Sequence, residues 1–223
     1  MDKNLLVISL LGKSGSGKGT QVNLLKEKYN LERIGSGDLL RERKKTQDFT
    51  GAKISTVVDT GGIIPTPVVF KLWMEKLENY KLQGDLKGLI FDGSPRKIRE
   101  AYLLDEALEW YEWEKNTKMI LLDISDEEVM RRVALRKICS NSICGFIPSA
   151  EQAKELEKCP ACGANLIIRP EDSPENTEKR LAWFREEVEP VINYYKEKNE
   201  LLIINGEQSV EKVFEDIVKA IEG

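Results

Sequence analysis

A glycine-rich segment that directly follows a short apolar run constrains the fold of this chain more than any other feature. The run extends from Leu5 to Leu11 and is apolar apart from Ser9, which is typical of a strand buried on both faces of a parallel sheet. The segment Gly12-Lys13-Ser14-Gly15-Ser16-Gly17-Lys18-Gly19-Thr20 then leads into a helical pattern that ends near Tyr29. Strand, glycine loop and helix therefore occur in the order of a phosphate-binding loop.

In such a loop the glycines allow backbone N–H groups at a helix N-terminus to converge on phosphate oxygens, and a lysine adds positive charge. Lys18 is the lysine here, and Gly19 separates it from the hydroxyl residue Thr20. A glycine-rich turn that binds no phosphate is the alternative interpretation. The residues expected to contact phosphate are Gly15, Ser16, Gly17, Lys18, Gly19 and Thr20.

Four further short apolar segments predict strands, and segments of helical periodicity separate them. They are Leu31–Ile34, Gly88–Asp92, Met119–Ile124 and Leu201–Asn205. Strands that alternate with helices predict an α/β fold with a doubly wound, five-stranded parallel sheet. The charged segment from Pro174 to Asn199 carries apolar residues at helical spacing, which predicts a long helix packed on the core.

Two stretches interrupt this alternation and are predicted to be inserted subdomains. The first, residues 36–65, contains short helical patterns and turn residues, and the second, residues 137–170, holds all four cysteines. A short helix is expected from Ser149 to Lys158 in the second. The core domain is then expected to comprise residues 1–35, 66–136 and 171–223.

Composition excludes several classes of function. The 34 Lys and Arg residues against 38 Asp and Glu residues leave a net charge of −4, which gives no general attraction to nucleic acid or anionic lipid. No apolar run reaches the roughly 18 residues that a membrane helix needs. The chain has no histidine, so histidine bases, triads and metal ligands are excluded. We expect a cytoplasmic protein that binds neither nucleic acid nor membranes.

The cysteines form two closely spaced pairs, Cys139-x4-Cys144 and Cys159-x2-Cys162. In a reducing compartment this spacing favours a tetrahedral zinc site with four thiolate ligands. Such a zinc would be structural, because four protein ligands leave no open position. Disulfides or unligated core cysteines are the alternatives.

Three segments together resemble the adenylate kinase family of nucleoside monophosphate kinases, in its long form with a zinc-type lid. They are Gly12 to Gln21, Gly35-Ser36-Gly37-Asp38-Leu39-Leu40-Arg41 and Phe91-Asp92-Gly93-Ser94-Pro95-Arg96. The cysteine-bearing insertion, Arg169, Arg180 and the turn Ile204 to Gln208 follow in the family's order. The resemblance implies reversible phosphoryl transfer from magnesium ATP to AMP, giving two ADP, in a monomer whose partners are ATP, AMP and ADP.

The resemblance also implies roles for particular residues. Residues 36–65 correspond to the subdomain that binds the monophosphate, and residues 137–170 to the lid. The implied catalytic residues are Lys18, Arg96, Arg136, Arg169 and Arg180. ATP is expected to contact the phosphate loop, Arg132, Arg136 and Gln208. AMP is expected to contact Ser36, Arg41, Gly62, Ile63, Ile64, Gly93, Ser94, Pro95, Arg96, Glu100, Arg169 and Arg180.

Elementary chemistry agrees with several of these roles. Ser36 and Arg41 lie on a glycine turn that opens a helix, where a hydroxyl and a guanidinium can bind an anion, although a helix cap and a solvated arginine are the alternative. Asp92 ends an apolar strand, so it is the candidate to hold magnesium through water, with a capping role as the alternative. Phosphoryl transfer depends on positive charge placed around the transferred group, which the arginines supply.

The sequence departs from the family pattern at three places. The first cysteine pair has a longer spacing, and Ile147-Pro148 replaces a Thr-Tyr or Val-Tyr pair that contacts the ATP base. Glu100 stands where the family has a glutamine that reads adenine, and a carboxylate suits the donors of guanine better. GMP is therefore the alternative substrate. An NTP hydrolase and a non-catalytic zinc interaction module are rival functions.

Overall fold

A computed structural model describes residues 5–59, 62–141, 144, 146, 148, 152–168 and 172–223. Its strands are β1 (Leu6–Gly12), β2 (Glu32–Ile34), β3 (Gly88–Asp92), β4 (Thr117–Asp123), β5 (Lys137–Cys139), β6 (Leu166–Ile168) and β7 (Leu201–Asn205). Five of them form a parallel sheet in the order β2-β3-β1-β4-β7, which confirms the predicted fold class. Its strand bounds differ from the predicted ones by no more than two residues.

Ten α-helices connect these strands within the described residues. They are α1 (Lys18–Tyr29), α2 (Ser36–Arg43), α3 (Phe49–Asp59), α4 (Thr66–Gln83), α5 (Ile98–Trp110), α6 (Asp126–Leu135), α7 (Gln152–Glu155), α8 (Pro174–Trp183), α9 (Glu189–Glu197) and α10 (Val210–Glu222). Among the described residues, no helix combines the length and the apolar character needed to cross a membrane.

The central strand β1 is covered on both faces, as its apolar run predicts. Val7 packs on one side with Trp73 and Phe91, and Ile8 packs on the other with Val22 and other residues of α1 and α10. All five of these side chains are fully buried. Helices on both faces of the sheet therefore enclose two apolar clusters, one on each side of β1.

Parallel pairing places the carboxyl ends of the strands at one edge of the sheet. Leu10 of β1 pairs with Asp92 of β3, and Ile34 of β2 pairs with Phe91. On the other side, Leu122 of β4 pairs with Ile204 of β7. The segments that follow these strands therefore meet at one edge, where open α/β sheets bind ligands.

The cysteine segment contains a small antiparallel sheet that the sequence did not predict. Strands β5 and β6 pair Cys139 with Leu166 and Lys137 with Ile168. The expected helix from Ser149 to Lys158 is wrong in its extent, because only Gln152–Glu155 is helical and residues 149–151 lie outside the described residues. The chain leaves the helix at Leu156 to form the second cysteine pair.

The predicted long helix after Pro174 is present, but it contains a π-helical turn. Helix α8 continues into a wide turn at Phe184–Val188, and α9 follows directly. Leu181 packs with Val129 and Val133 of α6, whereas Val191 packs against the sheet. The wide turn thus joins two helical segments that face different parts of the core.

Candidate active site

The glycine loop after β1 has the backbone conformation of a cradle. Gly15 and Gly17 adopt φ angles of 79° and 95°, a region that L side chains rarely enter. At Gly12, a Cβ atom would lie 2.7 Å from the Leu122 carbonyl oxygen. Helix α1 starts at Lys18, so the backbone N–H groups of its first turn face the loop.

Lys18 turns its ammonium group back into this loop. Its Nζ donates to the carbonyl oxygens of Gly12, at 2.6 Å, and Lys13, at 2.7 Å. The pKa of Lys18 is lowered to about 8, chiefly by desolvation in the cleft; the charge of Asp92 raises this pKa, and the charges of Arg96 and Arg136 lower it. Lys18 is thus still mostly protonated at pH 7, and a bound anion would raise its pKa again.

Two cationic side chains lie close to Gly93. A Cβ atom there would lie 3.4 Å from Arg96 Nη2 and 3.5 Å from Lys18 Cε. The Arg96 Nε also donates to the Gly93 carbonyl oxygen at 2.6 Å. The structure thus brings the phosphate loop and the segment after β3 to one cleft, where both cationic side chains border a residue that has no side chain.

Asp92 pairs with an arginine that the sequence analysis did not single out. Arg33 Nη2 lies 2.6 Å from Asp92 Oδ2, and its Nε lies 3.1 Å from the same oxygen. The same Nη2 lies 3.3 Å from Asp38 Oδ2. The only sequence signal was the position of Arg33 near the end of β2, which the parallel register places beside the end of β3.

The start of α2 brings together three polar side chains from separate parts of the chain. Ser36 Oγ lies 2.8 Å from Ser94 Oγ, and the Trp73 indole N–H donates to Ser36 Oγ at 3.1 Å. Arg41 is exposed and ion-paired with Asp38 on the same helix. The hydroxyl of Ser36 therefore has two buried partners, whereas the Arg41 guanidinium is held by an exposed ion pair.

Three predicted arginines converge near the end of α6, and a buried carboxylate organises two of them. Arg136 donates to both Asp172 oxygens, at 2.7 and 2.5 Å, and Arg180 donates to one of them at 3.1 Å. The Asp172 side chain is 0% exposed. Arg132 donates to the Gly206 carbonyl oxygen at 2.8 Å. Arg169 lies outside the described residues.

Asp172 is the functional residue that the sequence analysis missed. Its signal was weak, because an acidic residue between two arginines in a strongly charged stretch is ordinary. Only the fold shows that it accepts from both Arg136 and Arg180. It fixes the spacing of two guanidinium groups that would otherwise repel each other.

The residues predicted to lie around the base of AMP are more dispersed than those predicted to bind phosphate. Glu100 is 5% exposed, its Oε2 accepts from the Arg96 backbone N–H at 2.9 Å, and burial raises the pKa of its carboxyl. Ile64 is buried and Ile63 is 54% exposed. The Gly62 N–H donates to the Val57 carbonyl oxygen.

The part of the site expected to hold the base of ATP is less complete than the phosphate-binding part. Gln208 Nε2 donates to the Asn205 carbonyl oxygen and to Asp216, so its side chain is occupied. A cavity of about 160 Å³ lies between Gly19, Thr20 and Phe146 of the cysteine segment. Pro148 is buried, and Ile147 lies outside the described residues.

The four cysteine sulfurs lie within 4.8 Å of one another. Cys139 Sγ lies 3.4 Å from Cys162 Sγ, and Cys144 Sγ lies 3.6 Å from Cys159 Sγ. Tetrahedral zinc with bonds of about 2.3 Å requires sulfur separations of about 3.8 Å, so the donor set fits. None of the four forms a disulfide.

The electrostatics of the cluster also suit a cation. The Ala164 backbone N–H lowers the pKa of the Cys162 thiol to about 7, whereas burial raises the pKa of the Cys139 thiol. Several thiolates this close together need a cation to offset their repulsion. A structural zinc ion would meet that need.

Comparisons with known proteins agree with this geometry. The family model described as adenylate kinase matches residues 10–200. An adenylate kinase from Chlamydia trachomatis serovar D is 36% identical over 99% of this chain and 92% of its own length. The adenylate kinase from Agathobacter rectalis is 35% identical over 95% of this chain and 97% of its own length. The adenylate kinase from Chlamydia felis is 36% identical over the full length of both chains. The chain therefore belongs to the adenylate kinase family and is a phosphotransferase that moves a phosphoryl group between ATP and AMP.

Proposed function

We propose that the cleft at the carboxyl edge of the sheet performs this transfer directly, without a covalent intermediate on the enzyme. The observation that carries the proposal is the pair of cationic side chains, Lys18 and Arg96, which both border the Cβ position of Gly93. One cation belongs to the phosphate loop and the other to the segment beside Ser36, so two phosphate-bearing substrates can meet in line between them. Positioning and electrostatic stabilisation then supply most of the catalysis.

On the ATP side, the backbone N–H groups of Gly15 to Thr20 and the Lys18 ammonium would bind the phosphates. An incoming phosphate oxygen would replace the Gly12 and Lys13 carbonyl oxygens as acceptor for Lys18. Arg132, anchored to the Gly206 carbonyl oxygen, would lie along the nucleotide, and Gln208 would contact its base side. Magnesium bound with ATP would neutralise phosphate charge, and Asp92 would hold it through water.

On the AMP side, Ser36, Arg41 and Arg96 would bind the phosphate and the neighbouring sugar. Gly62, Ile63, Ile64 and the segment Gly93 to Pro95 would form the walls of the site. Arg136, Arg169 and Arg180 would surround the transferred group, with Asp172 keeping Arg136 and Arg180 in place. This arrangement places positive charge beside the equatorial oxygens of the transferred phosphoryl group, whose negative charge redistributes in the transition state.

Residues 36–65 would form the subdomain that binds AMP, and residues 137–170 the lid, within a core of residues 1–35, 66–136 and 171–223. The four cysteines would hold zinc that makes the lid rigid, because a segment this small cannot bury a core of its own. Closure of both subdomains would exclude water and suppress hydrolysis of ATP. A monomer in the cytoplasm stays the expected state.

Glu100 can read adenine when it is protonated. A neutral carboxyl offers one donor and one acceptor, as a glutamine amide does, and these match adenine N1 and the 6-amino group. Its burial favours the neutral form. An ionised Glu100 would instead accept from guanine, so the protonation state decides between AMP and GMP.

The test is a coupled assay of ADP formation from magnesium ATP with AMP, GMP, CMP and UMP offered separately. Wild type, Glu100→Gln and the control Glu106→Gln, an exposed residue of the same helix, are compared. We expect wild type and both variants to prefer AMP. Preference of wild type for GMP, with AMP restored by Glu100→Gln, would replace the substrate assignment. Activity with none of the four would refute the proposal.

A further inference from the structure

The hydroxyl of Ser36 has two buried hydrogen-bond partners, Trp73 and Ser94. It comes from the first residue of α2, while its partners come from α4 and from the segment after β3. Trp73 and Ser94 are both 0% exposed, and Ser36 is 9% exposed. The trio Ser36, Trp73 and Ser94 is called the hydroxyl triad below.

The direction of the hydrogen bonds in the hydroxyl triad follows from counting donors and acceptors. An indole N–H only donates, so Trp73 occupies one of the two acceptor sites of Ser36 Oγ. Ser94 and Ser36 share one hydrogen bond of 2.8 Å, in which either oxygen could donate. Among the residues that the structure describes, the Ser94 hydroxyl has no other partner.

If Ser36 donated to Ser94, the Ser94 hydrogen would be buried without an acceptor, which costs about 1–3 kcal/mol. If Ser94 donates to Ser36, every group in the hydroxyl triad is satisfied except the hydrogen of Ser36. Both acceptor sites of Ser36 are then filled, and that hydrogen must point away from Trp73 and Ser94. Among the described residues nothing accepts that hydrogen, and Ser36 is the one member of the hydroxyl triad that keeps some exposure, at 9%.

The surroundings of that exposed part favour an anionic acceptor. A Cβ atom at Gly37 would lie 3.2 Å from Arg41 Nη1, so the guanidinium lies against the residue that follows Ser36. Ser36 also begins an α-helix, where free backbone N–H groups favour negative charge. A phosphate oxygen can accept but cannot donate when fully ionised, so an obligate donor suits it.

We propose that Ser94 and Trp73 are positioning residues, which fix the Ser36 hydroxyl as a hydrogen-bond donor toward the phosphate-bearing end of AMP. This inference rests on the proposed function of Ser36. It assigns Ser94 a role through its side chain, and it brings Trp73, a core residue of α4, into the recognition of the substrate. The orientation is set before AMP arrives, which reduces the entropy that binding must overcome.

The experiment measures the Kd for AMP by calorimetry and the steady-state constants in the coupled assay. Removal of the donor in Ser36→Ala should raise the Kd for AMP about tenfold. Ser94→Ala and Trp73→Phe, which leave Ser36 free to reorient, should each raise it about threefold to fivefold. The KM for AMP should rise with the Kd, whereas the KM for magnesium ATP should change less than about twofold, since these side chains lie on the AMP side.

A double-mutant cycle separates positioning from general damage. In the Ser36→Ala background, Ser94→Ala should raise the Kd for AMP no further, because no hydroxyl remains to be oriented. Ser9→Ala is the matched control: Ser9 is equally buried and donates to the Ser94 carbonyl oxygen, but it does not reach Ser36. It should leave the Kd for AMP unchanged, and thermal melts check that every variant is folded.

The inference would be overturned by an unchanged Kd for AMP in Ser94→Ala. It would also be overturned if Ser94→Ala raised this Kd equally with Ser36 present and with Ser36 replaced, or if Ser9→Ala raised it as much as Ser94→Ala does. An unchanged Kd in Ser36→Ala would overturn it as well, since Ser36 would then not touch AMP. Failure of the proposed function is a different observation, namely wild-type enzyme that forms no ADP from AMP and magnesium ATP.

Discussion

Asp172→Asn should destabilise the protein and slow catalysis together. The Asp172 carboxylate has a fully buried side chain and accepts three charge-assisted hydrogen bonds, two from Arg136 and one from Arg180. Asparagine keeps the shape, but its neutral amide carries no counter-charge, and its NH2 group would face the Arg136 Nε that donates to Asp172 Oδ2. Two arginines would then lie close together without their shared counter-charge.

Loss of one partner from a fully buried ion pair costs about 3–5 kcal/mol. The arginine side chains here are 17% and 35% exposed, so water offsets part of that loss. We therefore expect a fall of about 2–3 kcal/mol in the free energy of unfolding. For a chain of this size that corresponds to a decrease in Tm of about 4–12 °C.

The same change should reduce kcat about tenfold to a hundredfold, because Arg136 and Arg180 lose their fixed positions. Calorimetry gives the Tm, and the coupled ADP assay gives kcat. Glu175→Gln is the control, since Glu175 forms an exposed pair with Lys179 on the helix that carries Arg180. Its Tm should change by at most about 2 °C. If Asp172→Asn behaves like this control, the organising role assigned to Asp172 is wrong.

Three further predictions follow from the site. Because the pKa of Lys18 is lowered to about 8, the Kd for magnesium ATP measured by calorimetry should rise as pH increases from 7 to 9, whereas Lys18→Met should bind weakly at every pH. The lowered pKa also means that folding releases a proton above pH 8, so this group adds stability as pH rises from about 8 towards 10.5. The purified chain should contain about one zinc ion by elemental analysis, and a chelator or Cys162→Ser should lower the Tm; a metal-free protein with the same Tm would contradict the zinc site. Since burial raises the pKa of Glu100, its ionisation weakens the fold as pH rises above 4.5, so Glu100→Gln should gain more stability at pH 7 than at pH 4 in denaturant titrations.

The sequence predicted the parts of the fold whose cause is local. An apolar run before a glycine loop is sufficient to predict β1, the loop and α1, because each depends on neighbouring residues. The other four strands of the large sheet were found for the same reason. The grouping of the four cysteines was also predicted from their spacing, and the structure brings all four sulfurs within 4.8 Å of one another.

The rest depends on contacts between distant parts of the chain. Asp172 lies 36 residues from Arg136, and Ser94 lies 58 residues from Ser36, so neither contact leaves a periodic signal. Arg33 looks like any exposed arginine until the parallel register places it beside Asp92. The π-helical turn after α8 was missed because an apolar stripe at mixed spacing fits an uninterrupted helix equally well.

That turn has a consequence for where the chain tolerates a change of length. Each residue of an α-helix rotates the following side chains by about 100°, so the extra residue at Phe184–Val188 changes the phase between α8 and α9. The Val191 face is fixed against the sheet, and the Leu181 face against α6. Deletion of a single residue there would regularise the helix, yet with α9 held by the core it would turn α8 and swing Arg180 away from Asp172. The least regular turn of this helix is thus what allows α9 to pack on the core while Arg180 of α8 reaches Asp172.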